Sequence, residues 1–211
     1  MTTSNSGATL VNVIATRGDS TAVAFAIRAA SVVFVAALTA AAAQVSVPLP
    51  FTQVPLTLQP MVVLLGGLAL GARLGLASQV LYLAAGIVGL PVFAASITLP
   101  PGALRLLGPT GGYLMSYPFA ALLSGYLADR GFDRRYVTSV IALLAGLVVI
   151  YACGVTWLGL FARIGSQSAA VGMAAAIAGG LAPFLIADVV KLFMAAAVLP
   201  GMWRLCGRDG R

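Results

Sequence analysis

The chain is a succession of long apolar runs broken by short polar segments. The runs cover approximately residues 21–43, 54–70, 74–94, 113–128, 137–161 and 178–199. Most approach the roughly 20 residues that an α-helix needs to cross the hydrocarbon core of a bilayer. The pattern predicts an all-α polytopic membrane protein with six transmembrane helices. The 54–70 run is short and holds Pro55 and Pro60, so it is expected to begin as irregular backbone. At membrane depth such backbone is tolerated only where protein or a water-filled cavity covers it. Residues 1–20 are polar and Ser/Thr-rich, without a basic start followed by an apolar run or a recognisable cleavage site, and read as a cytoplasmic tail rather than a signal peptide. A membrane domain over 21–203 and a basic cytoplasmic tail over 204–211 complete the expected organisation.

Composition removes the soluble alternative. Hydrophobic residues make up 61% of the 211 and charged residues 8%, with a mean hydropathy of +1.04. So little charge cannot cover a water-facing surface, and no length is left for a separate soluble domain. Net charge is +7, but the basic residues sit in connectors rather than along one face, which makes them topology signals and not a nucleic-acid surface. Lys and Arg are retained on the cytoplasmic side. With the N-terminus inside, that side holds Arg17, Arg28, Arg73, Arg130, Arg134, Arg135, Arg204, Arg208 and Arg211, and the outer side holds only Arg105 and Arg163. An even number of crossings then places both termini in the cytoplasm. Cys153 and Cys206 are too far apart in this topology for a disulfide framework or a metal site, and the chain has no histidine. No cofactor or metal is expected.

The cytoplasmic connectors, 71–73 and 129–136, are tight, whereas the outer segments 44–53 and 96–112 are long, proline-rich and semi-apolar. Ordered loops of that kind are commonly functional, and these read as a lid. The last run carries the chemistry. Pro183-Phe-Leu-Ile-Ala-Asp-Val-Val-Lys-Leu-Phe-Met194 places Asp188 and Lys191 three residues apart on one helix face. Each costs about 2.5–3.5 kcal/mol at the bilayer centre on insertion scales, so both must face the bundle interior or a cavity. Two roles are open: an internal ion pair that fixes helix packing, or a site in which Lys191 binds an anionic group and Asp188 accepts hydrogen bonds from a donor-rich one. On the residues alone the ligand is a small amphipathic anion.

Gly108-Pro-Thr-Gly-Gly112 lacks the Lys-Ser or Lys-Thr that a nucleotide-phosphate cradle requires. It reads as a close-packed start to a helix, with exposed backbone N–H groups beside a ligand as a compatible second role. Small residues recur at four-residue spacing, as Ala36 with Ala40, Ala37 with Ala41, and Gly67 with Gly71. They let helices approach closely, within this chain or against a partner. Tyr113, Tyr117, Tyr151 and Trp157 lie near span ends or at polar-tipped positions, where interface anchoring is the default and ligand stacking the alternative.

Taken together, Pro48-Leu-Pro-Phe-Thr-Gln-Val-Pro-Leu-Thr-Leu-Gln59, Gly89-Leu-Pro-Val-Phe93, Gly108-Pro-Thr-Gly-Gly-Tyr-Leu114 and Ala187-Asp-Val-Val-Lys191 resemble the BioY family, the biotin-specific S component of energy-coupling factor (ECF) transporters. The resemblance covers about residues 37–199, and the ordered set of motifs is more specific than any one of them. It implies a six-helix S component in the cytoplasmic membrane that binds biotin from outside under its first and third outer loops. Such a subunit is not an enzyme; it couples to a transmembrane T component and ATP-binding-cassette ATPases. The family's acid and base map onto Asp188 and Lys191, with Tyr151, Gln59 and Arg105 as further substrate-binding candidates. Arg105 stands closer to Gly108 than the loop arginine of many relatives, which makes it a helper. Ala36, Ala37, Ala40 and Ala41 would face the T component. Biotin suits a mostly apolar pocket with one cation and one acceptor, because it joins a carboxylate to an apolar chain and ring and a neutral ureido group.

Two rivals make different demands. An ion-coupled secondary transporter of a small organic anion would use Asp188 as a proton relay, but the inverted broken-helix repeats common in that class are not evident. An intramembrane enzyme would need a catalytic set that the chain does not offer, since Asp129 and Asp133 lie in a cytoplasmic loop among arginines.

Overall fold

A computed structural model describes residues 9–15, 20–96, 99–162 and 171–205. In chain order it comprises α1 (Leu10–Ala15), α2 (Thr21–Gln44), β1 (Ser46–Val47), β2 (Leu56–Thr57), α3 (Gln59–Leu70), α4 (Ala72–Ile87), α5 (Leu104–Leu107), α6 (Gly111–Ala128), α7 (Tyr136–Leu160), α8 (Met173–Gly180), α9 (Ala182–Ala195) and α10 (Val198–Leu205). Among the described residues, three helical stretches are long and apolar enough to cross a membrane: α2, α7 and the run Ala182–Arg204. Arg17, Arg163, Cys206, Arg208 and Arg211 lie outside the described residues.

Three apolar runs fold differently from their hydropathy, each for a local reason. The 54–70 run becomes helical only at Gln59, and its first residues form strand β2, paired antiparallel with β1 through Ser46 with Thr57 and Val47 with Leu56. A 12-residue helix is about 18 Å long, so the extended stretch contributes much of this run's reach. Its irregular backbone is covered by protein: Val54 is buried, and Leu56 packs on the core. The 74–94 run leaves the helix at Ile87 because Gly89 turns at φ +99° and donates to Gly86 O at 3.1 Å, with Pro91 beyond. The 178–199 run is not one helix. Pro183 in the first turn of α9 and Pro200 in the first turn of α10 each withhold an N–H from the preceding turn, and the chain breaks at both places.

Helix α6 lies at the centre, packed on α3, α4 and α7. The crossings are close because small residues meet: a Cβ on Gly75 would lie 2.9 Å from Gly67 Cα. Helix α2 is peripheral and mostly exposed, held on its inner side by Gln79 of α4, whose Nε2 donates to Thr39 Oγ1 at 3.3 Å.

The two ends of the bundle are built differently. At one end Gly71 (φ +85°) turns α3 into α4, and Asp129 Oδ2 accepts from Ala72 N at 3.1 Å. Thr9 donates to Leu70 O at 3.3 Å, and Trp203 Nε1 donates to Asp133 Oδ2 at 2.8 Å. The connector between α6 and α7 at this end carries Arg130, Arg134 and Arg135. At the other end lie the β1–β2 hairpin and the segment from Val88 to Thr110 that contains α5.

Candidate functional site

A cavity of about 630 Å³ opens beneath the hairpin, within the 300–1,000 Å³ range of small-molecule sites. One side is the 48–57 segment, another the end of the α4–α6 connection, and the rest comes from α6, α7 and the α8–α9 junction. Its lining is largely apolar, with Leu49, Val54, Phe93, Leu114 and Phe184 on its walls. Polar side chains are interspersed on the same walls, among them Gln59, Arg105, Tyr151 and Asp188, and such groups orient an amphipathic ligand.

Asp188 carries the negative charge of the cavity. It is 5% exposed, and both carboxylate oxygens have donors: Lys191 Nζ reaches Oδ1 at 2.8 Å, and the Tyr151 hydroxyl reaches Oδ2 at 2.7 Å. The three-residue spacing in α9 stacks Asp188 and Lys191 on one face, and α7 presents Tyr151 to them. Each oxygen retains a second lone pair, so Asp188 can still accept from a ligand N–H. Asp188 and Tyr151 line the cavity, whereas Lys191 stands behind the acid and spends a second donor on Thr57 O at 2.9 Å. The ammonium thus joins the acid to the base of the hairpin.

Gln59 and Arg105 also line the cavity. Gln59 sits at the start of α3, 3% exposed, and donates to the Tyr82 hydroxyl at 2.6 Å; that hydroxyl donates onward to Val92 O at 3.3 Å. The chain of bonds holds α3, α4 and the following connection together. Arg105 folds back on its own connection, with Nε donating to Pro100 O at 3.1 Å and Nη1 to Ala94 O at 2.8 Å. Burial lowers its pKa from the ordinary arginine value, but the guanidinium remains cationic at neutral pH. Among the described residues, Asp188 is the one carboxylate that lines this cavity, and the hydrogen bonds of Arg105 go to carbonyls.

The remaining sequence candidates divide. Tyr113, Tyr117 and Tyr151 are 8%, 4% and 9% exposed and line the cavity; interface anchoring, the default reading of such residues, does not describe them. Trp157 Nε1 donates to Gly108 O at 3.0 Å, and a Cβ on Gly112 would meet Trp157 and come within 2.7 Å of Cys153 O. The Gly-Pro-Thr-Gly-Gly segment is therefore a close-packed helix start, with Pro109 and Thr110 at the cavity wall. In α2, Ala36 is buried in the core and Ala40 packs against it, whereas Ala37 and Ala41 are exposed.

Thr52, the Thr57 carbonyl and Phe184 belong to the site but carried no separate signal of their own in the sequence. Phe184 is one apolar residue among many, and a backbone carbonyl has no residue type. Thr52 had a signal only in retrospect, through a proline 131 positions away in the chain, since its hydroxyl bonds the carbonyl that Pro183 leaves open.

Comparison with known proteins points to one family. The family model described as "BioY family" matches residues 13–208. The "Probable biotin transporter BioY" of Pyrococcus horikoshii is 41% identical over 162 residues, which is 77% of this chain and 87% of that protein. The "Biotin transporter BioY" of Thermotoga maritima is 35% identical over 72% of this chain and 82% of its own length. Among solved structures, the S-component for biotin from an ECF-type ABC transporter superposes with a TM-score of 0.71 at 23% identity, covering 84% of this chain and 90% of that one. The chain, with its apolar bundle and its acid, tyrosine and lysine beside a hairpin-covered cavity, belongs to the BioY family.

Proposed function

We propose that this chain is the biotin-binding S component of an ECF-type transporter and that biotin occupies the cavity beside Asp188. The observation that carries the reading is the Tyr151–Asp188–Lys191 cluster, whose tyrosine and acid line a largely apolar cavity. Asp188 offers an acceptor for ureido N–H groups, Arg105 lines the same cavity as a cation for a carboxylate, and the apolar walls suit the ring and chain. The two biotin transporters compared above support the substrate. In this assignment Asp188 with Tyr151 faces the ureido group, Arg105 supplies the charge that draws the carboxylate, and Gln59 adds a polar contact; Lys191, the carboxylate partner expected from the sequence, is bonded to Asp188 from behind and orients it instead.

The chain is a multi-pass protein of the cell membrane. Six crossings are formed by α2, the β2–α3 stretch, α4, α6, α7 and the α8–α10 series, with both termini in the cytoplasm and the hairpin outside. The arginines of the α6–α7 connector support that orientation. Residues 1–20 and 204–211 flank the membrane domain, and within the first of them Leu10 and Val13 of α1 pack into the core instead of forming the polar tail expected from the sequence. The chain binds and does not catalyse; a T component and separate ATPases supply the work. The exposed Ala37 and Ala41 face of α2 is where the T component docks, with Ala36 and Ala40 setting that helix against its own bundle.

Titration of the purified chain with biotin, followed by competition with biotin methyl ester, tests the assignment. Saturable binding that the ester competes for poorly is expected. No binding removes the substrate, and full competition by the ester removes the role of Arg105. Uptake that survives ATPase loss but collapses with the proton gradient would favour an ion-coupled carrier instead.

A further inference from the structure

The β1–β2 hairpin, which carries the 48–55 loop, is attached to the last span at two points of different chemistry. In a continuous helix the Gly179 carbonyl would accept from residue 183, four positions on. That residue is Pro183, which has no N–H. The Gly180 carbonyl would look to Phe184, but Phe184 N–H turns to Leu181 O at 3.1 Å. Two successive carbonyls at the α8–α9 break thus lose their helical donors in a setting where an unsatisfied carbonyl is costly. Side chains replace them: the Tyr113 hydroxyl donates to Gly180 O at 2.8 Å and the Thr52 hydroxyl to Gly179 O at 2.7 Å.

The two replacements differ in kind. Tyr113 stands on α6 inside the bundle. Thr52 stands in the loop that covers the cavity, and its hydroxyl is aimed by its own loop, because Val54 N donates to Thr52 Oγ1 at 3.2 Å while Thr52 N donates to Leu49 O at 3.3 Å. The oxygen accepts from within and its proton points outward to Gly179. The base of the same loop is closed by the β1–β2 pairing and by Lys191 Nζ on Thr57 O. A bond from an ammonium is stronger than one between neutral groups, so the tip is the weaker attachment.

We infer that Thr52 is the latch of this loop and the Gly179 carbonyl its catch: the tip releases from the α8–α9 break while the hairpin base stays on Lys191, which opens the cavity on the hairpin side. The inference rests on the cavity being the ligand site, and Thr52 acts as a positioning residue rather than a ligand contact.

Its test needs no ligand. On a Cys153→Ser, Cys206→Ser background, spin labels at Phe51→Cys and Ile177→Cys, both at exposed positions, report the distance from loop tip to α8 in the purified full chain. A single short population is expected for the parent and for Thr52→Ser, and an added longer one for Thr52→Val and Thr52→Ala. Tyr113→Phe is expected to match the parent. Val and Ala variants indistinguishable from the parent would overturn the latch, and so would equal opening by Tyr113→Phe. A second measurement follows labelled biotin: loss of one neutral hydrogen bond is expected to speed dissociation about fivefold in Thr52→Val, with Thr52→Ser near the parent. Failure of the parent to bind biotin would overturn the substrate assignment, while the distance measurement still decides the latch.

Discussion

The Tyr151 hydroxyl lies 2.7 Å from Asp188 Oδ2, while Lys191 holds Oδ1 of the same carboxylate at 2.8 Å. A tyrosine on α7 and a lysine on α9 therefore share one buried charge, and the cavity sees an acid already oriented from both sides. Preorganisation of this kind reduces the ordering cost of binding.

From that arrangement, Asp188→Asn is expected to weaken biotin binding by about 1.5–3 kcal/mol, the range for a hydrogen bond to a charged group. Tyr151→Phe, which removes one orienting donor and keeps the ring, is expected to cost about 0.5–1.5 kcal/mol. Calorimetry on the purified variants measures both. A Tyr151→Phe loss as large as that of Asp188→Asn would mean that the tyrosine, not the acid, makes the principal contact.

Gly112 should be intolerant and Gly201 tolerant, although both stand in helices. A Cβ on Gly112 would overlap Trp157 and approach Cys153 O to 2.7 Å, whereas nothing lies within 4 Å of one on Gly201. Gly112→Ala is expected to lose about 1–3 kcal/mol through overpacking. Gly201→Ala should be neutral or gain up to about 1 kcal/mol from helix propensity. Thermal unfolding in detergent ranks the two, and equal midpoints would refute the packing argument.

The connector between α6 and α7 predicts a pH dependence. Asp133 is fully buried, with Trp203 Nε1 on Oδ2, and burial raises its carboxyl pKa despite that bond and the nearby Arg134. In the window above the ordinary carboxyl pKa the folded protein holds a proton that the unfolded chain has released. Stability contributed by this group is therefore full below that window and falls as pH rises through the elevated folded value. Asp133→Asn keeps an acceptor for Trp203 and should flatten the slope of the thermal midpoint against pH. An unaltered slope would assign the effect elsewhere.

The two faces of the alanine series on α2 should separate under substitution. Ala37 is exposed and Ala36 is 7% exposed in the core. Ala37→Leu is expected to reduce recovery of the chain with a T component in pull-down while leaving its thermal midpoint near the parent. Ala36→Leu is expected to lower the midpoint, by about 1–3 kcal/mol of overpacking. Retention of full T-component binding by Ala37→Leu would move the docking face off this stripe.

Much of this was legible before any coordinates. Burial cost alone required Asp188 and Lys191 to face inward, and their spacing put them together, because an i, i+3 relation is local to one helix. The Gly108–Gly112 segment also reads correctly as a close-packed helix start, since glycine pairs at a helix start imply close approach. The breaks at Pro183 and Pro200 are written in the chain too, but hydropathy averages over them, so the 178–199 run passes for one helix. Tyr113 and Tyr117 were not legible: their exposure depends on what α7 and α8 place beside them.

Residue order alone specifies the local and solvation-driven features: apolar runs, the charge bias of the connectors, the acid and base on one face, and the family resemblance. These follow from the cost of polar groups in lipid and from spacings of a few residues. Packing of the folded chain decided that Lys191 stands behind Asp188 and binds Thr57 O, and that Tyr151 takes the other oxygen. It also decided that Thr52 fills the carbonyl left open by Pro183. Those contacts join residues far apart in the chain, and such partners are chosen by the packing of whole helices, which no local pattern encodes.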